Sequence, residues 1–502
     1  MIGRVASGIT SWVRDHRTGV AFLLTHTLLY GSALLVLGAS FLPLGPLAIF
    51  WVLVVTVPVA FDLSDVVLLW LPRPDPLPRL DTLSRQPRVA LLYLTCDDYV
   101  WSSLAAIGNQ SYEALDCYVL DDSRNPLPLE CVPTPAIVVR RATRAGFKAG
   151  NINHWLRLYG ASYEYIVVLD SDSELPPHFV SDMLKFAEHP KNAQVANFQA
   201  LTFPSAPETM LQRCLAAGHS YRMRVASALQ THSESILSWG HNNLIRVSAL
   251  EDVGGFDEAY VAEDAATTLR LIHRGYFCKI VEVVSYEGIP GNLEALASRT
   301  LRWTRQTLQI LGANWSGIRL CTKLQILRPL ASYLLHPILL ASLCVAALSQ
   351  RFSNDRSDDI LQVRFVFIQI ASLVGMPLAL AVAKWPLARA AKTTLRAVIV
   401  NQFVMTSLSC YLMVPTTLAI VRHVAGERFT FTPTSKDAQR NQGSSSYAML
   451  NVGVLSGLIV ASVTLRGNYR FSWIGLAIIA LISFLALLHR HISLLKRNGD
   501  AA

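Results

Sequence analysis

Long apolar runs near both ends of the chain, enclosing a block of ordinary charge density, constrain its fold more than any other feature. They lie at about 19–42 and 47–70, then at about 326–349, 361–383, 447–465 and 472–489. Each approaches the ~20 apolar residues an α-helix needs to cross a bilayer. Only 16% of the 502 residues are charged, against roughly 25% in a soluble protein. The basic opening MIGRVASGITSWVRDHR and the first run resemble a signal peptide in outline. No small-residue cleavage site follows, and the second run comes at once, so two N-terminal spans are expected. Asp62 and Asp65 in the second should face protein or the interface rather than lipid.

One more run, about 396–421, is interrupted by Asn401, Gln402, Thr406, Ser407, Ser409, Pro415, Thr416 and Thr417. Both of its flanks are basic, with Lys384, Arg389, Lys392 and Arg396 before it and Arg422, Arg428, Lys436 and Arg440 after it. Lys and Arg accumulate on the cytoplasmic side of membranes. An interfacial or re-entrant helix here gives six spans with the large basic regions inside. A seventh span would put the 422–445 loop and the basic tail outside. Six is the reading adopted, although Arg466 and Arg470 in the last short turn weigh against it. The chain then divides into an N-terminal membrane region (1–75), a cytoplasmic domain (86–320), a C-terminal membrane region (321–490) and a cytoplasmic tail (491–502). The net charge of +9 reads as a topology signal. No basic stripe interleaved with aromatics points to nucleic acid. The eight cysteines are scattered without a CxxC pair, which suggests neither a zinc site nor a disulfide framework.

After the Pro/Arg linker LPRPDPLPRLDTLSRQPR, the central block alternates β-rich runs (89–95, 116–120, 136–140, 165–170) with helical stretches such as 148–159. That alternation predicts an α/β domain with a mostly parallel sheet. Ligands of such sheets bind beyond the carboxyl ends of the strands. Candidate residues cluster there. YIVVLDSDSELPP ends a strand in Asp170 and Asp172. Carboxylates at i and i+2 can share one hard cation with a diphosphate, or else form an acidic turn before a helix. Asp121 and Asp122 end a second strand, and Thr95, Cys96, Asp97 and Asp98 end the first. A carboxylate there can accept from a base N–H or a ribose hydroxyl, or simply close a turn. Lys148 in RAGFKAGNIN can approach a diphosphate, or be a solvated helix start. Glu263-Asp264 precedes a helical run. Asp264 there is either a helix N-cap or a general base. Arg299, Arg302 and Trp303 share one helix face by their i, i+3, i+4 spacing. They suit phosphate binding and sugar stacking, or a basic helix on a membrane surface.

Taken in order, these motifs resemble the membrane-embedded processive glycosyltransferases of family 2, of the cellulose synthase and β-glucan synthase type. The match covers about 86–315. GHNN (240–243) and YEGIPGNLEALASRTLRW also look like the periplasmic-glucan glucosyltransferases of that family. FTFTPTSK (429–436) is similar to the FxVTxK gating loop, with Phe431 for Val and Lys436 two residues late. Two other departures are Arg299, where Gln is common, and Asp97-Asp98, where Asn-Glu is usual. The resemblance implies a GT-A fold, a multi-pass protein of the bacterial inner membrane, and an inverting single displacement. Its donor would be a UDP-sugar, with UDP-glucose the first choice. Its acceptor would be a growing β-linked polysaccharide that translocates through the lipid bilayer, with membrane or periplasmic partner subunits compatible with that scheme. Asp122, or its neighbour Asp121, would contact uracil, and Thr95 and Asp97 would belong to the same substrate-binding set. Asp172, helped by Asp170, would hold Mg²⁺ or Mn²⁺. Asp264, beside Glu263, would be the base. Arg302, Arg299 and Lys148 would hold the diphosphate, Trp303 would stack on the acceptor, and Thr432 and Lys436 would close over the nucleotide. A non-processive transferase acting on a lipid-linked acceptor, or a transporter with a cytoplasmic domain, are the alternative readings.

The topology makes a testable prediction. A cysteine replacing Ser444, in a background lacking reactive native thiols, should resist a membrane-impermeant thiol reagent added to intact cells. Rapid labelling would mean that 396–421 spans the membrane.

Overall fold

The seven residues VALLYLT (Val89–Thr95, β1) are all buried, with no alternation of exposed and covered positions. That pattern belongs to a central strand covered on both faces. β1 pairs in parallel with β2 (Leu115–Asp121) and β4 (Tyr165–Leu169), and β2 with β3 (Ile137–Val139). A computed structural model of the protein describes residues 76–349 and 394–427, apart from 129, 131, 134, 208 and 231–234, together with a few single positions elsewhere.

Four more strands complete the sheet, in the order β3-β2-β1-β4-β7-β6-β8-β5. They are β5 (Ser173–Glu174), β6 (Val195–Pro204), β7 (Asn243–Arg246) and β8 (Phe277–Glu287). β7 runs antiparallel to both β4 and β6, and β5 antiparallel to β8. The other six strands point the same way. The α/β class and the parallel half therefore match the sequence reading, and the reversed β7 makes the sheet mixed. β7 pairs between β4 and β6 and so joins the parallel half to β6 and β8.

The helices cover both faces. α1 (Trp101–Ala106) and α3 (Phe179–Ala187) flank one layer, where Leu104, Phe179, Met183 and Leu184 pack on Leu91, Tyr93 and Val167. α2 (Phe147–Tyr159) covers the other face, with Trp155 fully buried against Tyr118, Leu92 and Ile166. Packing Trp155 down fixes the helix whose first turn carries Lys148. The remaining helices are α4 (Met210–Gln230), α5 (Val247–Asp252), α6 (Glu263–His273), α7 (Leu293–Leu311), α8 (Leu320–Ser349) and α9 (Leu395–Val424).

α9 covers the run read as interfacial and is one continuous helix of 30 residues. Its Tyr411 and Leu412 pack with Leu215 of α4 and Leu296 of α7. Asn401 donates to the Cys214 carbonyl at 2.8 Å. A Cβ at Gly218 would meet the Asn401 amide at 2.5 Å, so glycine permits this close approach. Among the described residues no helix is long and apolar enough to cross a membrane. The runs at 19–42, 47–70, 361–383, 447–465 and 472–489 lie outside them, a few single positions aside, as do Thr432 and Lys436.

Candidate active site

The parallel strands β1, β2 and β4 end at one edge, and the polar residues that follow them meet there. β4 stops at Leu169, and the chain turns through Asp170, Ser171 and Asp172. This turn is tightly braced. The Tyr93 hydroxyl donates to the Ser171 carbonyl at 2.7 Å, and the Ser171 hydroxyl donates to Asp98 at 3.0 Å. Asp98 also accepts from the Thr95 hydroxyl and the Cys96 N–H. Asp98, rather than Asp97, thus ties the end of β1 to the aspartate turn. Asp97 sits at φ 60° and accepts from the Arg124 N–H.

Asp121 and Asp122 differ sharply in surroundings. Asp121 is buried and accepts from the N–H groups of Ser123 and Leu127 and from Arg140. Burial alone would raise its pKa, but these donors outweigh it and hold the carboxyl below its usual range. Its oxygens serve the turn after β2. Asp122 forms a two-pronged pair with Arg141, at 2.9 and 2.6 Å.

Lys148 projects from the first turn of α2 to the aspartate turn. Its ammonium donates to Asp170 at 2.6 Å and to the Gly240 carbonyl at 2.8 Å, and stands 3.9 Å from Glu263. Burial opposes its charge, but Asp170 and Glu263 outweigh that and raise its pKa. Gly240 has φ 83°, where only glycine is unstrained, and a Cβ there would lie 2.8 Å from an Asp264 oxygen. Lys148, Asp170, Glu263 and Asp264 therefore gather around one glycine.

Asp264 is not a helix cap. α6 begins at Glu263, its N-cap position is Ala262, and Asp264 lies inside the first turn, accepting from the Ala265 N–H at 2.8 Å. Burial, then the Asp264 charge, push Glu263 up to about 8. Burial also raises Asp264, against the pull of the Ala265 N–H and Lys148. Both carboxyls of this pair are thus pushed upward by burial.

His241, Glu287 and His219 form a group that was not singled out in the sequence. His241 Nε2 lies 2.6 Å from Glu287, and Nδ1 lies 3.0 Å from the Trp239 carbonyl. Both partners are acceptors, so both ring nitrogens donate and the ring is an imidazolium. Burial opposes this charge, but Asp170 and Glu287 outweigh it and bring the pKa up to about 9. Conversely, burial is outweighed at Glu287 by the His241 hydrogen bond and charge, leaving it at about 2. His219 stands 3.6 Å from Glu287 and bonds the Thr202 carbonyl at 2.9 Å; burial keeps it neutral, at about 4. GHNN, with His241, and YEG, with Glu287, are the sequence signals for this group.

α7 starts with Asn292 capping the Ala295 N–H at 2.8 Å. The Arg299 guanidinium lies 4.7 Å from the centre of the Trp303 ring, a cation–π stack. Trp303 is nonetheless 38% exposed. Burial, then the neighbouring Arg222, lower Arg299 to about 10, while Glu287 and Asp172 favour its charge. A Cβ at Gly288 would lie 3.0 Å from Asp172, so this glycine leaves room beside the second aspartate. Among the described residues no three His, Cys, Asp or Glu side chains converge as a preformed metal cage.

The chain has recognisable relatives. The profile of Glycosyl transferase family group 2 matches residues 165–487, more than half of the chain. The chain belongs to glycosyltransferase family 2. It is 28% identical over 268 residues to a glucans biosynthesis glucosyltransferase H of Klebsiella pneumoniae, and 27% identical over the same length to that of Escherichia coli K12. Each match covers 45% of this chain and 31% of the relative, so the chain spans about a third of the length of these relatives. A mannosyltransferase from Pyrobaculum calidifontis, solved with GDP-Man and Mn²⁺, superposes with a TM-score of 0.47 at 17% identity, over 76% of this chain and 100% of that one.

The buried charges set a pH dependence. The folded-state pKa of His241, about 9, lies above its usual 6.5, so its stabilising contribution is full below pH 6.5 and lost as pH rises through 9. Glu263, raised from 4.5 to about 8, acts in the same direction over a lower window. Melting temperature should therefore fall between pH 6.5 and 9, and His241→Gln should flatten that fall. An equal fall in the variant would place its origin elsewhere.

Proposed function

We propose that this transferase moves a sugar, glucose by first choice, from a UDP-sugar to a hydroxyl at the end of a growing β-linked glucan. The transfer runs with inversion on the cytoplasmic side of the bacterial inner membrane. The observation that carries the reading is the meeting of Lys148, Asp170, Glu263 and Asp264 around Gly240 beyond the carboxyl ends of the strands. A cationic and an anionic group share one cleft there, as attack on a diphosphate-linked sugar requires.

Asp264 is the base. An acceptor oxygen attacks the anomeric carbon as its proton passes to the Asp264 carboxylate, and the bond to the diphosphate oxygen breaks. Burial raises the basicity of Asp264, and the Glu263 carboxyl beside it is pushed up as well. Lys148 and Arg302, with Arg299, balance the charge that develops on the departing diphosphate. Trp303 offers an exposed indole face on the same helix for the acceptor sugar. Asp122 serves the uracil end, with Asp121 holding the turn that carries it.

A divalent ion fits this donor set. Asp170 and Asp172 supply hard carboxylate oxygens, and Gly288 keeps space beside Asp172. Mg²⁺ commonly binds through one or two carboxylates plus substrate phosphates, without an all-protein cage. Bound at Asp170 and Asp172, Mg²⁺ or Mn²⁺ would supply Lewis-acid stabilisation of the leaving diphosphate.

The membrane arrangement of six spans, with α9 and the 422–445 loop over the cytoplasmic face, is part of the same proposal. It is supported by the docking of α9 on α4 and α7 through Asn401, Tyr411 and Leu412.

Asp264→Asn tests the base. Asn keeps the size and can still accept from the Ala265 N–H, so melting temperature and UDP affinity should hold. Transfer from the UDP-sugar should drop about 10²–10⁴-fold, the usual cost of losing general-base help. An Asn variant with normal turnover would remove Asp264 from this role.

A further inference from the structure

Arg141 follows β3 and has a side chain only 7% exposed. All three of its nitrogens donate. Nε and Nη2 grip Asp122 at 2.9 and 2.6 Å, Nη2 also reaches the Phe147 carbonyl at 2.7 Å, and Nη1 bonds the Ala145 carbonyl. The two carbonyls come from the 145–147 loop and flank the start of α2: Phe147 is the first residue of the helix, just before Lys148, and Ala145 lies two residues earlier.

That loop is in an uncommon conformation. Gly146 has φ 69° and Phe147 φ 47°. A left-handed, non-glycine residue with a bulky side chain persists only when its surroundings hold it. On one side Glu258 packs against the Cα of Gly146, and is itself held by Asn153 at 2.8 Å. On the other side is Arg141. Gly150, one turn into α2, leaves the space that the guanidinium fills, since a Cβ there would lie 2.7 Å from Arg141 Nη1. The strained residue is adjacent to Lys148, so a relaxed loop would swing the ammonium off Asp170 and Gly240.

We infer that Arg141 is a positioning residue: seated in the gap at Gly150, it holds the strained 145–147 loop and so aims Lys148 at the phosphates of the donor. This rests on the reading of Lys148 as a diphosphate ligand. It assigns Arg141 no contact with substrate. Four of the five N–H donors of its guanidinium are turned to Asp122 and the two carbonyls.

The test is a double-mutant cycle on the full-length protein, with inorganic diphosphate and Mn²⁺ as the probe, because diphosphate has no base for Asp122 to read. Dissociation constants are measured by calorimetry for the parent, Arg141→Ala, Lys148→Met and the double variant. Each single change should weaken binding about 10–100-fold, the range for a hydrogen bond to a charged group. The double variant should bind no more weakly than Lys148→Met alone, because Arg141 acts through Lys148. Additive losses overturn the inference, as does an Arg141→Ala protein that melts lower yet binds diphosphate normally. If Lys148→Met itself binds normally, the diphosphate reading of Lys148 falls and the inference falls with it; additive losses leave that reading standing. Arg141→Lys replaces Arg141→Ala in the cycle if the latter does not fold. Its ammonium cannot reach Asp122 and both carbonyls together, so the same results are expected.

Discussion

The ion pair between Lys148 and Asp170 is the interaction on which the rest of the site depends. It joins the first turn of α2 to the turn after β4 across 2.6 Å, and the same ammonium reaches the Gly240 carbonyl. Without that cation, Asp170, Glu263 and Asp264 would place three carboxyl groups in one half-buried cleft. Such a cleft is tolerable only when its charges are paired or neutralised. The protein uses both solutions, pairing Asp170 and pushing Glu263 toward its neutral form. The price is a loop at Gly146 and Phe147 forced into left-handed geometry.

A second charged group lies beside the first. His241 shares Asp170 with Lys148, at 3.7 Å, and passes its other nitrogen to Glu287 at the end of β8. Glu287 in turn faces His219 of α4 and favours the charge of Arg299 on α7. The strand ends and the helices under α9 are thus linked through one half-buried carboxylate. Gly240 and Gly288 make the close approaches possible, one beside Asp264 and the other beside Asp172.

Much of this was legible from residue pattern. β1, β2, β3 and β4 lie within a residue of the runs read from alternation, and α2 begins one residue early. Continuous apolar runs of five to seven residues ending in carboxylates announce buried parallel strands. β7 was not legible. NLIR is short, and its antiparallel place between β4 and β6 is set by partners distant in sequence. Among the site residues, Lys148, Asp170 and Asp264 stood out as charges at element ends. Reading Asp264 as a cap places the helix start two positions late; the helix begins at Glu263, with Ala262 at the N-cap position and no side-chain cap. GHNN and YEG mark His241 and Glu287 without showing what they touch across the fold, and Arg141 carries no local signal. Arg141 reads as one more basic residue in a polar loop until Gly150 and the two carbonyls surround it.

The central claim is that this family 2 transferase uses a divalent ion and a UDP-sugar to extend a β-glucan. The most direct measurement incubates the purified full-length protein with each labelled UDP-sugar, with Mn²⁺ or Mg²⁺ and with a chelator, and digests any polymer with linkage-specific glycosidases. The account predicts label from UDP-glucose in a polymer that a β-glucanase degrades, and no incorporation once the chelator is present. Incorporation that survives chelation, or a product resistant to every β-glucanase, would contradict it.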